Sequence, residues 1–186
     1  MKKFVQIIIL SLLIFSNASA EKRDDELNNL FKQLKNSENI KAIEIENKIW
    51  KIWSTHPSDD RRGYRLTELL AQGSLLIKRR ELSKAYRVFS QIILEDPKWA
   101  EAWNKRATVL YMLGSYEKSQ NDINEVLKIE KRHFGALSGQ GLVQTKLENY
   151  KKAIKSYKEV QKIHPSMQAP KVMIPRLKKL IKGQSI

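Results

Sequence analysis

No cysteine occurs among the 186 residues. Its absence excludes disulfides, thiolate-held metals and thiol nucleophiles. Glycine is scarce at seven residues, and no Gly-rich phosphate loop can be assembled from them. Histidine occurs three times, as His56, His133 and His164. All three fall at or near predicted connections between helices and read as exposed loop residues, not as a metal or catalytic set. No nucleophile motif is present, and the carboxylates scatter over predicted exposed helix faces, so no enzyme activity, metal or cofactor is expected. Acidic residues are in the minority, 20 against 35 Lys and Arg, for a formal charge of +15. Apolar runs are short as well. The only sizeable one is Ile7 to Phe15, broken by Ser11. It falls well below the ~20 residues that a bilayer-spanning helix needs, and no later stretch does better.

That run has its own reading. Lys2 and Lys3 precede it and Ala18-Ser19-Ala20 follow it. A positive start, a short apolar core and a small-x-small site together describe a cleaved signal peptide over residues 1–20. An uncleaved anchor is the alternative that the short core disfavours. The expectation is an exported protein, periplasmic or secreted, whose mature chain from Glu21 fits one domain.

What the chain has in abundance is helical periodicity. Between Ala100 and His133, one apolar face carries Ala102, Trp103, Ala107, Leu110 and Leu113, and a second carries Tyr116, Ile123, Val126, Leu127 and Ile129. Both recur at three- and four-residue steps, and Gly114 sits where the first helix must end. One such hairpin cannot bury its own face, and copies stand 34 residues to either side. Gly73, Ala107 and Gly141 keep a small residue in the first helix, and Leu69, Trp103 and Leu137 a large one. Leu82, Tyr116 and Tyr150 open the second helix; Ala85, Ser119 and Ala153 stay small; Phe89, Ile123 and Tyr157 stay large. Pro97 and Pro165 end the outer copies, with Lys131 in that column of the middle one.

These columns resemble the tetratricopeptide repeat (TPR) family, with departures at Arg106, Lys131 and Gln144. The runs WNKRATVLY and RHFGALSGQG, preceded by an IW-x-IW helix, resemble short exported TPR proteins of Gram-negative bacteria. The implied fold is an all-α solenoid of stacked antiparallel hairpins. Its three repeats fall at about 66–99, 100–133 and 134–167 within residues 58–167. The family geometry implies a concave groove lined by first helices, here Leu70, Ser74, Ile77 and Lys78, then Asn104, Thr108, Tyr111 and Met112, then Ser138, Leu142, Thr145 and Lys146. A mixed surface with a Tyr-Met centre suits a protein or peptide ligand, and the implied function is a non-catalytic adaptor, scaffold or assembly factor.

The flanks are expected to cap the solenoid. Residues 21–57 form an amino-terminal helix pair, with Leu27, Leu30, Phe31 and Leu34 on one face and Ala42, Ile45, Ile49, Ile52 and Trp53 on the other. Trp50 and Trp53 read as packing onto the first repeat, a ligand-stacking pair being the alternative. Ser58-Asp59-Asp60 suits a helix start, with an insert through Arg65 lengthening the connection. Residues 168–186 form a carboxyl-terminal capping helix and tail, kinked or restarted at Pro175, with Ile174, Leu177, Leu180 and Ile181 turned inward.

From Phe134 onward eleven Lys and Arg face two Glu. Lys151, Lys152, Lys155, Lys158 and Lys162 share the last repeat's second helix. That face is either merely solvated or drawn to an acidic partner or an anionic membrane surface, which would make the chain a peripheral membrane protein. A non-catalytic subunit of an envelope enzyme is a further reading. Nucleic acid is not expected in an exported protein. Two packing expectations follow from the repeat phase. Arg106, at an apolar-favoured position, should meet Asp122 one helix later, and Gly73 and Gly141 should lie under close neighbours.

Overall fold

The computed structural model describes residues 21–183. The expected leader at 1–20 and the tail Gln184–Ile186 lie outside them. Among the described residues all regular structure is helical.

Three hairpins follow one another: α3 (Arg61–Lys78) with α4 (Leu82–Glu95), α5 (Ala100–Met112) with α6 (Tyr116–Ile129), and α7 (Phe134–Lys146) with α8 (Tyr150–Ile163). Each turns in the same way. Arg80, Gly114 and Glu148, 34 residues apart, hold φ of 62°, 76° and 58°. The next amide reaches back over the helix end, Glu81 N–H to Leu76 O, Ser115 N–H to Leu110 O and Asn149 N–H to Gln144 O, at 2.8–2.9 Å. These bonds satisfy carbonyls that the helix leaves open. Only the middle turn has the residue that adopts this conformation freely; Arg80 and Glu148 adopt it against steric preference.

Within each hairpin a large side chain covers a small one. The Phe89 ring lies over Gly73 and the Tyr157 ring over Gly141, so close that a Cβ on either glycine would stand 2.5 Å from a ring carbon. The expected packing role of both glycines is therefore met. In the middle hairpin the Arg106 guanidinium bonds Asp122 twice, Nε to Oδ2 at 2.7 Å and Nη2 to Oδ1 at 2.8 Å, with Nη1 3.2 Å from Ser90 Oγ. The Asp122 carboxylate raises the Arg106 pKa further against the opposing effect of burial. Trp103 lies under the guanidinium at 4.9 Å. A planar fork matched to a carboxylate explains how an arginine occupies a position that favours an apolar side chain.

Residues 61–65 are not a linker. They form the first turns of α3, capped by Asp60, whose carboxylate accepts the Gly63 amide at 2.6 Å. α9 (Gln168–Gly183) runs as one helix through Pro175, so neither a break nor a restart occurs there. Its Ile174 and Leu177 pack with Ala153 and Tyr157, whereas Leu180 is exposed.

The amino-terminal hairpin pairs a helix over residues 21–35, α1, with α2 (Asn39–Ser54). Its expected apolar faces are buried, but against Phe134, Leu137 and Val160 of the third repeat. Trp53 stacks on His133 at 4.0 Å and Trp50 meets Phe134 edge-on at 5.3 Å. The tryptophans therefore do not close the open end of the first repeat. Instead α2 crosses all three places where one hairpin passes to the next. Trp53 O accepts Trp99 Nε1–H at 2.9 Å, Trp50 and Trp53 hold His133 and Phe134, and Glu46 meets His164 at 3.0 Å.

Candidate functional site

The three histidines depart most from expectation. They sit at the connections, as their positions foretold, but they are buried, at 4%, 0% and 2% exposure for His56, His133 and His164. A buried imidazole needs partners for both nitrogens, and each has them in the same pattern. Nδ1 faces a nearby group of its own turn: the Ser58 amide for His56 at 3.1 Å, the Ala136 amide for His133 at 3.0 Å, the Ser166 hydroxyl for His164 at 3.2 Å. Nε2 faces a carboxylate from another element: Asp96 at 2.8 Å, Glu101 at 3.1 Å and Glu46 at 3.0 Å. For His56 and His133 an amide can only donate, so Nδ1 accepts and Nε2–H points at the acid.

Glu101 is the most enclosed of these acids, with no exposed surface. Its Oε2 also accepts Asn104 Nδ2–H at 3.0 Å, and the Lys105 ammonium lies 3.1 Å from Oε1. Burial pushes this carboxyl up, but the His133 hydrogen bond and the Lys105 charge outweigh it and hold it below the ordinary glutamate range. Glu46 is held low chiefly by its His164 hydrogen bond. These groups join helices. Glu46 and His164 also line a cleft of about 410 Å³ with Ala42, Ile43, Met167 and Lys171, but the Glu46 carboxylate is bonded to Trp50 and His164, and the His164 ring to Glu46 and Ser166, the geometry of structural polar contacts.

Four of the twelve groove residues share one cleft. Asn104, Thr108, Tyr111 and Leu142 come together in a cleft between α5 and α7. The rest lie elsewhere. Leu70 is buried and Ile77 packs against the first hairpin's core. The Ser74 hydroxyl donates to Leu70 O at 2.8 Å, and that of Thr145 to Gly141 O at 2.7 Å. Ser138 is buried, Met112 half-buried, and Lys78 and Lys146 are exposed. Tyr111 is itself half-buried, its ring 5.5 Å from that of Tyr116.

Two cleft residues have no counterpart among the expected twelve. Gly135 and Gly139 stand with Leu142 on one face of α7, opposite Asn104, Thr108 and Tyr111 on α5, and both sets follow the i, i+4, i+7 spacing of a helix face. Ala107, Ser119 and Ile123 make the floor. The two glycines differ in what surrounds them. A Cβ on Gly135 would strike Trp50 at 2.5 Å, whereas one on Gly139 would meet only Ile123 Cδ1, at 3.7 Å. Packing therefore accounts for Gly135 and Gly141 but not for Gly139, which leaves the cleft open. The cleft holds about 80 Å³. That volume admits one modest side chain and is far below the roughly 300–1,000 Å³ of small-molecule sites. Among the described residues no group of three His, Asp or Glu is arranged to hold a metal ion.

Comparison with known proteins agrees with this architecture. A TPR repeat-containing protein of Rhizobium etli is 31% identical over 168 residues, covering 90% of this chain and 79% of that protein. Hsp70-Hsp90 organizing protein 1 of Glycine max is 26% identical over 101 residues, spanning 54% of this chain but only 18% of that protein. Among solved structures, the first TPR of Spaghetti (RPAP3) bound to the HSP90 peptide SRMEEVD superposes with a TM-score of 0.61 at 17% identity, covering 63% of this chain and 93% of that one. The Sgt2 TPR domain of Aspergillus fumigatus gives 0.62 at 22% identity, covering 65% and 82%. No protein-family model matches the chain.

Proposed function

Because the chain belongs to the tetratricopeptide repeat family, we propose that it is a non-catalytic binding module that seats a side chain of a partner polypeptide in the α5–α7 cleft. The observation that carries this reading is Gly139. A helix interior disfavours glycine by roughly 0.5–1 kcal/mol relative to alanine, no neighbour here requires it, and its bare backbone keeps the cleft open. The similar Spaghetti (RPAP3) domain holds a seven-residue peptide, which supports an extended peptide as the occupant. The leader-like segment at 1–20 supports an exported role, periplasmic or secreted, as an adaptor or assembly factor of the cell envelope.

Filling the cleft tests this directly. Gly139→Leu should retain or raise the melting temperature while abolishing capture of the partner by photocrosslinking from Thr108 in envelope preparations. Tyr111→Ala should weaken the same crosslink. Gly141→Val is the control. Two residues away, it should cost about 1–3 kcal/mol by forcing the Tyr157 ring aside. Crosslinks that persist unchanged in Gly139→Leu would remove the cleft from the binding mechanism.

A further inference from the structure

The excess charge is not spread evenly. Residues from Phe134 onward carry eleven cations and two acids, a balance of +9 out of +15. On α8, Lys151, Lys155, Lys158 and Lys162 recur at the spacing of a single ridge, and all four are exposed. Lys162 pairs with Glu159, and among the described residues the other three form no ion pair. α9 adds Lys171, Lys178 and Lys182 at the same kind of spacing, again exposed and, among the described residues, without an ion pair. The helices are packed neighbours, and a notch between Tyr150 and Ile181 brings the start of α8 to the end of α9. Exposed cations of both helices therefore meet at the carboxyl-terminal end of the solenoid.

We propose that this surface docks onto an anionic lipid bilayer. Three features choose the bilayer over a polypeptide or nucleic acid. The cations are nearly all lysines, compact and hydrated point charges suited to a diffuse anionic plane, whereas bidentate capture of individual carboxylates or phosphates favours arginine. The two helices carry only two aromatics, Tyr157, fully buried, and Tyr150, half-buried in the notch, so no row of rings interleaves the cations for successive bases to stack on. On the outer face of α9, Val172 and Leu180 stand 63% and 42% exposed among the cations. This mixture of basic and apolar residues lets a helix lie in a headgroup layer. The surface is separate from the α5–α7 cleft, and the proposal does not depend on cleft binding.

Every described helix lies after residue 20, so the chain from Glu21 is the form to test. It is mixed with vesicles of phosphatidylcholine alone or with about a third phosphatidylglycerol, then sedimented. Retention should require the anionic lipid and fall steeply with added salt, because each lysine at such a surface is worth roughly fivefold in partitioning. The combined variant Lys151→Glu, Lys155→Glu, Lys158→Glu should lose on the order of a hundredfold in partitioning with an unchanged circular dichroism spectrum. Should that variant misfold, Lys→Gln at the same positions gives the same reading without charge reversal. Equal retention on both vesicle types, or anionic binding that survives the variants, overturns the proposal. Retention by polyglutamate beads with none on anionic vesicles also overturns it and assigns the face to an acidic polypeptide. Crosslinking from Thr108 is unaffected by these variants, so failure here and failure of the cleft remain distinguishable.

Discussion

Inside a repeat hairpin, side chains meet partners close by in sequence: Arg106 is clamped to Asp122, 16 residues on. The amino-terminal hairpin reaches much further. His56 beside it meets Asp96 across 40 residues, Trp53 meets Trp99 across 46, Asn28 meets Arg132 across 104, and Glu46 meets His164 across 118. Stacked repeats are held by their nearest neighbours and can open one at a time. A hairpin that touches every junction changes that, because no repeat can separate without disturbing α2. The repeats supply the shape of this molecule, and the amino-terminal hairpin is expected to make it unfold as a unit.

The largest effect should come from severing that coupling. Trp53→Ala removes the ring stacked on His133 and packed beside Phe134, at a cost of about 3–5 kcal/mol. Urea unfolding followed by circular dichroism should then broaden or split into two steps. A single transition with the wild-type slope would refute the coupling role. Asp122→Ala breaks a contact inside one hairpin and leaves Arg106 largely buried without its carboxylate, at a cost of about 3 kcal/mol. Here the transition should shift but stay single, and splitting would erase the distinction between the two regions.

Acid should act on the long-range contacts. The Glu101 and Glu46 carboxyls are held below the ordinary range in the folded chain. Their charged forms therefore stabilise the fold fully above the unfolded glutamate pKa of about 4.3, and that contribution is lost as pH falls through the lower folded-state values. Glu101→Gln should cost about 1–2 kcal/mol at neutral pH and flatten the acid limb of a melting-temperature profile. A limb of unchanged steepness would mean that other carboxylates carry it. The smallest effect belongs to the repeats alone. Glu148→Gly gives the third turn the residue that the second already has at Gly114, and should add about 0.5–1 kcal/mol. An unaltered melting temperature would show that the left-handed turn is unstrained.

How much of this is legible in the sequence follows the same division. The repeat columns, the turn at Gly114, the Arg106–Asp122 pair and the packing glycines all express short-range periodicity, which a single sequence displays. The course of α2 does not, because no local pattern states that Glu46 will meet His164. The histidines are buried against expectation for the same reason. Their positions at connections are plain, but their burial comes with partners distant in sequence, 40 residues away for His56, 32 for His133 and 118 for His164. The cleft was half legible. Shifting Asn104 by one repeat gives Ser138, whereas the wall facing α5 is the adjacent flank of α7, carrying Gly135 and Gly139. A column names equivalent positions on successive helices, not the two surfaces that face each other across the gap between them.

The 118 residues between Glu46 and His164 also measure time. A ribosome adding roughly 5–20 residues per second needs about 6–24 s to cover that stretch. For most of that interval α2 is already made while Phe134, Leu137 and Val160, which will cover its Ile45, Ile49 and Trp53, are still to come. The amino-terminal hairpin thus completes its contacts only after the third repeat has been made. A newborn chain passes through a stage in which the apolar face of α2 must be kept from other chains until the third repeat arrives.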